Sequence, residues 1–115
     1  TNPSVNPVDS GGLAITDALP AQVSLRVADV SGVNSGPVGF SDGVPTSALT
    51  YTFGGLASST DDVDFSNDEG ATWIYVPTPD VNGIDPAVTD IRIRPKGAFA
   101  PGNAQFTIRF QVMIK

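Results

Sequence analysis

The chain has 115 residues, no Cys, no His, 12 Gly, 10 Pro and 16% charged residues, a size that fits one compact domain. Without Cys or His it cannot assemble a Cys-His pair, a Ser-His-Asp triad or a histidine metal site, which excludes the common hydrolases. Its net charge of −6 has the wrong sign for a nucleic-acid partner, and no apolar run approaches the roughly 20 residues of a membrane-inserted helix.

The first half of the chain contains two short runs in which apolar and polar residues alternate, followed by a loop. Residues 13–19 and residues 23–27 each place their large apolar side chains on one side, so we expect two neighbouring strands. Residues 29–47 are rich in Gly, Ser, Asn and Pro. This composition predicts a long loop with one short strand around Val38 and Phe40.

Three further alternating regions follow before the C-terminus. Residues 49–53 predict a strand that ends at a Gly pair, and residues 88–94 predict another. Between them, residues 63–66 and 72–76 flank the polar segment 67–70, which ends in Gly. This arrangement predicts a β-hairpin.

The last segment, residues 106–115, is the clearest strand of the sequence. Every second residue is apolar and faces one side: Phe106, Ile108, Phe110, Val112 and Ile114. Seven or eight short strands separated by turn residues predict an all-β fold, an antiparallel immunoglobulin-like β-sandwich. We expect this domain to span residues 9–115, after an N-terminal arm of residues 1–8.

Residues 13–20, with the sequence LAITDALP, resemble the strand and Asp-x-Leu-Pro corner of the Ig-like conserved repeat module of bacterial secreted and cell-surface proteins. Residues 62–73 are similar to a later hairpin of that module, and residues 91–97 to its penultimate strand. The resemblance implies an Ig-like fold and an extracellular, non-catalytic, structural or adhesive role. It brings no catalytic residues.

The N-terminus departs from the pattern of this family. In the family, a Tyr-x-Ile-x-Val strand and a Thr-Asn-x-Gly turn precede the corner strand, whereas here Thr1 and Asn2 stand where the turn begins. The opening strand is therefore missing from the pattern, and the start at Thr1 without Met leaves open that a leader or longer precursor was removed. Either a strand from another copy completes the sandwich, or the chain is a repeat cut from a larger protein.

Charge is distributed unevenly along the chain. Residues 91–115 contain five basic residues and no acid, whereas residues 1–90 contain all twelve acids and only Arg26 as a base. One hypothesis is that the basic strands dock on an acidic face of a neighbouring copy. The other is that strands of opposite charge pair inside one subunit.

Two groups of residues are candidates for ligand binding. The acidic residues Asp61, Asp62, Asp64, Asp68 and Glu69 are of the type that binds calcium, but the EF-hand spacing is absent, and a solvated hairpin tip is the favoured interpretation. A glycosidase pair within this cluster would need a cleft that short loops do not provide. Trp73 and Tyr75 would be available to carbohydrate if Ile74 and Val76 face the core. If they do not, these aromatics are core residues.

We expect a secreted or cell-surface structural subunit that forms a homopolymeric fibre by β-strand complementation. The alternative is an adhesive or spacer repeat of a larger bacterial surface protein, with carbohydrate as a candidate partner. No cofactor is expected apart from the calcium just described. The residues predicted to take part in assembly are Val5, Val8, Arg92, Arg94, Lys96, Phe106, Ile108, Phe110, Val112 and Ile114. Val5 and Val8 are the only apolar anchors of the arm, which is thin for a donated strand.

Overall fold

The computed structural model describes residues 1–8, 12–30 and 32–115, so the predicted domain boundary at residue 9 lies outside the described residues. It contains eight strands and, in the described part of the chain, no helix. The strands are β1 (Ile15–Ala18), β2 (Val23–Arg26), β3 (Gly39–Asp42), β4 (Val63–Ser66), β5 (Ile84–Asp85), β6 (Asp90–Ile93), β7 (Phe106–Arg109) and β8 (Val112–Ile114). The all-β prediction is confirmed. A search of the described residues for a helix that could span a membrane found none.

The strands pair in three antiparallel sheets. One sheet has the order β1-β6-β4, the second has the order β5-β2-β8, and the third consists of β3 and β7. Because β7 and β8 follow each other closely, the C-terminal segment belongs to both of the last two sheets. It pairs first with β3 and then with β2.

The main hydrophobic cluster combines side chains from these sheets. Leu25 of β2 and Ile91 of β6 are both 0% exposed, and Phe65 of β4 is 2% exposed. Ile108 and Phe110 pack against the same cluster from the C-terminal segment. A core shared by the central strands of two sheets is compatible with a β-sandwich, in which alternate residues of each sheet point inward.

The prediction that residues 13–19 and 23–27 form neighbouring strands is wrong. β1 pairs with β6, whereas β2 lies between β5 and β8 in another sheet. Pro20 interrupts the backbone between them, and the chain crosses to the other sheet instead of turning back. The short strand expected around Val38 and Phe40 is present as β3.

The predicted hairpin between residues 63–66 and 72–76 does not form. β4 pairs with β6, and residues 72–76 are not a strand. Side chains close a compact turn instead: the carboxylate of Asp68 accepts the N–H of Thr72 at 2.9 Å, and the hydroxyl of Ser66 accepts the N–H of Gly70 at 2.9 Å. These bonds satisfy the backbone N–H groups of the turn locally, so residues 72–76 do not have to pair with β4.

Two other predicted strands are shorter than expected. Residues 49–53 contribute only a bridge between Thr50 and Lys96 instead of a named strand. The predicted strand 106–115 is divided into β7 and β8 at residues 110–111, where the pairing partner changes from β3 to β2. The strand predicted at residues 88–94 is present as β6.

Candidate functional site

In the part of the chain that the structure describes, the C-terminal segment forms its ladders on one side only. Gly43 donates its N–H to the carbonyl oxygen of Gln105 at 2.8 Å, and Arg26 donates to the carbonyl oxygen of Gln111 at 2.8 Å. In an antiparallel ladder, every second residue points its N–H and C=O at the same neighbour. The odd-numbered residues of 105–115 therefore face β3 and then β2.

The opposite side of this segment is an open sheet edge, which we call the free edge. It consists of the outward N–H and C=O groups of the even-numbered residues from Phe106 to Ile114. The strand neighbour of β7 is β3 and that of β8 is β2, so among the described residues no strand lies against the free edge. On the paired side, a cleft lined by Val30, Gly39 and residues 108–111 separates the ends of the two ladders.

The apolar side chains along the free edge become more exposed toward the C-terminus. Phe106, Ile108 and Phe110 are half-buried. Val112 is 45% exposed and Ile114 is 81% exposed, although the sequence pattern places all five on one core-facing side. The end of the C-terminal strand therefore presents both unpaired backbone groups and apolar side chains to solvent.

The N-terminal arm is docked on its own domain. Asn2 is 5% exposed, and its N–H donates to the carbonyl oxygen of Ala104 at 2.9 Å. Val8 forms an antiparallel bridge with Phe99. Val5 is 88% exposed and contributes nothing to this docking through burial.

Sequence reasoning missed the role of Asn2. Its side-chain amide donates to the carbonyl oxygens of Phe99 at 3.2 Å and Ala100 at 3.1 Å, while its carbonyl oxygen accepts the N–H of Ser4 at 3.1 Å. The contact with Ser4 is a local turn of the kind that Asn favours, and it is the one contact of Asn2 that the sequence could have predicted. The long-range contacts depend on the fold.

The basic residues of β6 and its extension are paired inside the chain. Arg92 and Arg94 lie 2.9 Å and 2.8 Å from the same carboxylate oxygen of Asp64, which is 7% exposed, and Lys96 pairs with Asp62. Register explains the first contact, because Asp64 of β4 lies opposite Arg92 of β6. At Arg92, Arg94 and Lys96, the arrangement therefore matches the hypothesis that opposite charges pair within one subunit, and not the hypothesis of docking on a neighbouring copy.

Three basic side chains remain without a carboxylate partner among the described residues. Arg26 lies on β2, Arg109 on β7 and Lys115 at the end of β8. Arg26 donates to the backbone carbonyl of Asn82 at 3.1 Å. In the described part of the chain, basic side chains without a carboxylate partner are therefore concentrated on the C-terminal segment and the strand beside it, which residue counts alone did not reveal.

The five acidic residues proposed for calcium do not converge on one point. Asp61 accepts the N–H of Gly54 at 3.0 Å, Asp62 pairs with Lys96, and Asp64 pairs with the two arginines of β6. Within the described residues, no three acidic, His or Cys side chains are grouped to hold a metal ion. Calcium binding stays a prediction without a converging ligand set.

The other two members of this acidic group lie in the compact turn. Asp68 accepts hydrogen bonds from the hydroxyls of Ser66 and Thr72, each at 2.6 Å. These bonds stabilise the charged form and lower the pKa of Asp68 to about 2. Glu69 is exposed, and its N–H donates to the hydroxyl of Thr89 at 2.9 Å.

The aromatic residues proposed for carbohydrate are half-buried, and their neighbours have the opposite exposure. Ile74 is 84% exposed and Val76 is 47% exposed, so the condition under which Trp73 and Tyr75 face outward is not met. The guanidinium of Arg92 lies 4.7 Å from the ring centre of Trp73. Tyr75 packs against the main core cluster, as in the alternative interpretation.

The hydroxyl of Tyr75 is also engaged. It donates to the carboxylate of Asp85 at 2.7 Å, and this bond is the main cause that raises the pKa of Tyr75. The same oxygen of Asp85 accepts the N–H of Thr78 at 2.8 Å. These contacts hold the segment after Trp73 against β5 and account for Tyr75 without a ligand.

Comparison with protein-family models, with curated proteins and with solved structures gives no match for this chain.

Proposed function

We propose that the chain is an extracellular structural subunit with an Ig-like β-sandwich that assembles with copies of itself into a fibre by β-strand addition at the free edge. The observation that carries this proposal is the pairing of β7 and β8 on one side only. On the other side, the N–H and C=O groups of the even-numbered residues between Phe106 and Ile114 meet no strand within the described residues.

An edge of this kind favours association with another strand. Unpaired backbone groups beside apolar side chains gain hydrogen bonds and burial together when a strand is added. Monomeric proteins commonly protect such edges with a proline, an inward-pointing charge or a covering loop. Along the even-numbered positions of this edge there is no proline and no charge, since they are Phe106, Ile108, Phe110, Val112 and Ile114.

The exposed end of the edge strengthens this interpretation. Val112 and Ile114 are 45% and 81% exposed although they continue the stripe to which the packed residues Ile108 and Phe110 belong. Covering them would remove apolar surface from water, which favours association. The side chains of Arg109 and Lys115 add uncompensated positive charge, which suits a partner that is acidic overall, as this chain is with its net charge of −6.

Proline substitution separates the free edge from the internal ladder. Val112→Pro removes an N–H that points outward, whereas Met113→Pro removes one that points at Ser24 of β2. We expect the native protein to form fibres of constant width in negative-stain electron microscopy, with a polymer mass by light scattering. The Val112→Pro variant should remain a monomer with a melting temperature close to that of the native protein.

The matched variant should behave differently. We expect Met113→Pro to lower the melting temperature, because it removes a hydrogen bond of the β2–β8 ladder. A native protein that is monomeric at high concentration would contradict the proposal. Fibres of Val112→Pro with native yield and width would show that another surface drives assembly.

The alternative function, a repeat of a larger surface protein, is favoured by the bridge between Asn2 and Ala104. Because this bridge is antiparallel, residues joined in front of Thr1 would run beside Phe106 and along the free edge. In that case the native chain should be monomeric and marginally stable. An alternating apolar strand fused before Thr1 should raise its melting temperature, whereas a Gly/Ser extension of equal length should not.

A further inference from the structure

We propose that the partner of the free edge is the outer edge of β1 from a second copy, so that subunits associate head to tail. This inference rests on the proposed function and names the second surface of the same contact. It requires β1 to have an unpaired outer side, a stripe of apolar residues that suits the free edge, and a charge opposite to that of the C-terminal segment.

The outer side of β1 has no strand neighbour within the described ranges. β1 stands at the end of the β1-β6-β4 sheet. Leu19 donates its N–H to the carbonyl oxygen of Thr89 at 2.9 Å. Because hydrogen-bonded residues alternate in an antiparallel ladder, Asp17 and Ile15 are the other residues of this strand that bond to β6. The N–H and C=O groups of Thr16 and Ala18 therefore point outward, and both residues are exposed.

Two of the other outer strands are less suited to accept a partner. The outer side of the residue before β4 is covered by the segment around Thr52, because Asp62 donates its N–H to the carbonyl oxygen of Thr52 at 3.1 Å. β3 and β1 each have four residues, but β3 begins with Gly39 and is followed by Gly43, so its apolar surface is short. The alternating run that contains β1 extends over residues 13–19 and is closer in length to the free edge.

The side chains of this run complement the exposed end of the free edge. Leu13, Ile15 and Leu19 are half-buried and lie on one side of the run. When two strands pair, residues on the same face of the joint sheet contact each other. Such pairing places the partially exposed side chains of β1 next to Val112 and Ile114, and both sets lose water contact.

Charge distinguishes this contact from pairing between two free edges. Residues 12–20 contain Asp17, which is exposed, and no base. The free edge is flanked by Arg109 and Lys115, so two free edges would bring like charges together. Pairing of β1 with the free edge avoids this repulsion and favours the heterologous contact. Asp17 then lies on the face of Ile15, across the joint sheet from Arg109 and Lys115.

The symmetry of the assembly follows from this choice. Two free edges that pair with each other use up both surfaces and form a closed dimer. A contact between β1 and the free edge leaves one unused surface of each kind at the ends, so growth continues and gives a filament. The contact proposed here therefore explains why a fibre, and not a dimer, would form.

Mixing two blocked variants tests the contact. Thr16→Pro removes an outward N–H of β1 and leaves the β6 ladder intact, while Val112→Pro blocks the free edge. We expect each variant alone to be monomeric by light scattering. An equimolar mixture should form a species of twice the monomer mass, because each variant retains the surface that the other has lost.

The outcomes distinguish this inference from the proposed function. If Thr16→Pro forms native fibres while Val112→Pro stays monomeric, the free edge assembles with another partner surface and the role of β1 is overturned. If Val112→Pro also forms fibres, the proposed function itself fails at this edge. Two folded monomeric variants that do not associate on mixing would also contradict the contact.

Charge reversal provides a second measurement that does not depend on proline. Asp17→Lys changes an exposed side chain and should leave the melting temperature close to native. We expect it to slow assembly by about tenfold at low salt, with a smaller difference at high salt, because steering between opposite charges is lost. Asp17→Asn, which removes half as much charge at the same position, is the matched variant and should slow assembly less. A rate for Asp17→Lys equal to that of the native protein at low salt would overturn the assignment of β1.

Discussion

β6 and the C-terminal segment have the same alternation of apolar residues but opposite surroundings. β6 has β1 on one side and β4 on the other, and its Ile91 and Ile93 are 0% and 1% exposed. In the described part of the chain, the C-terminal segment has strands on one side only, and the exposure of its apolar side chains rises to 81% at Ile114. Alternation therefore indicates which side chains share a face, whereas burial depends on how many neighbours cover the strand.

The largest expected effect compares an isoleucine from each region. Ile91→Ala should lower the free energy of unfolding by about 2–5 kcal/mol, because it removes buried methyl groups and leaves a cavity. Ile114→Ala should change it by less than about 0.5 kcal/mol in the monomer. Urea denaturation of both variants at low protein concentration measures the difference, and equal losses would show that the end of β8 is packed in solution.

The ion pairs of the β1-β6-β4 sheet should contribute less than its apolar core. Asp64→Asn removes the carboxylate shared by Arg92 and Arg94 and should cost about 1–2 kcal/mol. The loss stays moderate because the side chains of Arg92 and Arg94 are 27% and 45% exposed and remain partly hydrated. Glu69→Gln is the matched control, with an expected change below about 0.5 kcal/mol in the same denaturation experiment.

The two tyrosines of the core cluster should respond in opposite directions. The hydroxyl of Tyr51 is buried without a hydrogen-bond partner in the described part of the chain, and burial is the main cause that raises its pKa. Tyr51→Phe should therefore be neutral or stabilising by up to about 1 kcal/mol. Tyr75→Phe loses the bond to Asp85 and should destabilise by about 1 kcal/mol. Thermal melting of both variants measures the sign, and a clear loss for Tyr51→Phe would indicate a water-bonded hydroxyl.

The smallest expected effect concerns the compact turn. The pKa of Asp68 is lowered to about 2 by the hydroxyls of Ser66 and Thr72. A lowered folded-state pKa means that the stabilisation is present above pH 4 and is lost as the pH falls toward 2. An NMR titration should show the amide of Thr72 shifting in that range, well below the titration of ordinary aspartates. In Thr72→Val, which removes one donor, the midpoint should rise, and an unchanged midpoint would contradict the assigned cause.

The local elements that the sequence indicated most clearly are those with strict alternation. β1, β2, β6 and the C-terminal segment all lie within the predicted runs, because period-two burial leaves a readable pattern. The hairpin predicted at residues 63–76 is wrong. The side chains of Ser66 and Asp68 bond the backbone of the turn, and the alternation of apolar residues carries no information about such bonds. The prediction that β1 and β2 are neighbours is wrong because order along the chain does not determine which sheet a strand joins.

The candidate site could be predicted only in part. The apolar stripe from Phe106 to Ile114 was visible as a candidate for assembly, and so was the excess of basic residues after residue 90. The sequence did not reveal that Arg92 and Arg94 are neutralised by Asp64, because that contact depends on the register between β4 and β6. It also did not reveal that Asn2 is anchored on the carbonyls around Phe99.

The sequence by itself determined the all-β class and the faces of the main strands, because turn residues and alternation act over a few neighbouring positions. It also determined the absence of histidine and cysteine chemistry, which is a matter of composition. Only the tertiary structure decided which strands pair, which charges meet and which edge stays open. These properties arise from contacts between residues far apart in the chain, and such contacts leave no periodic trace in the sequence.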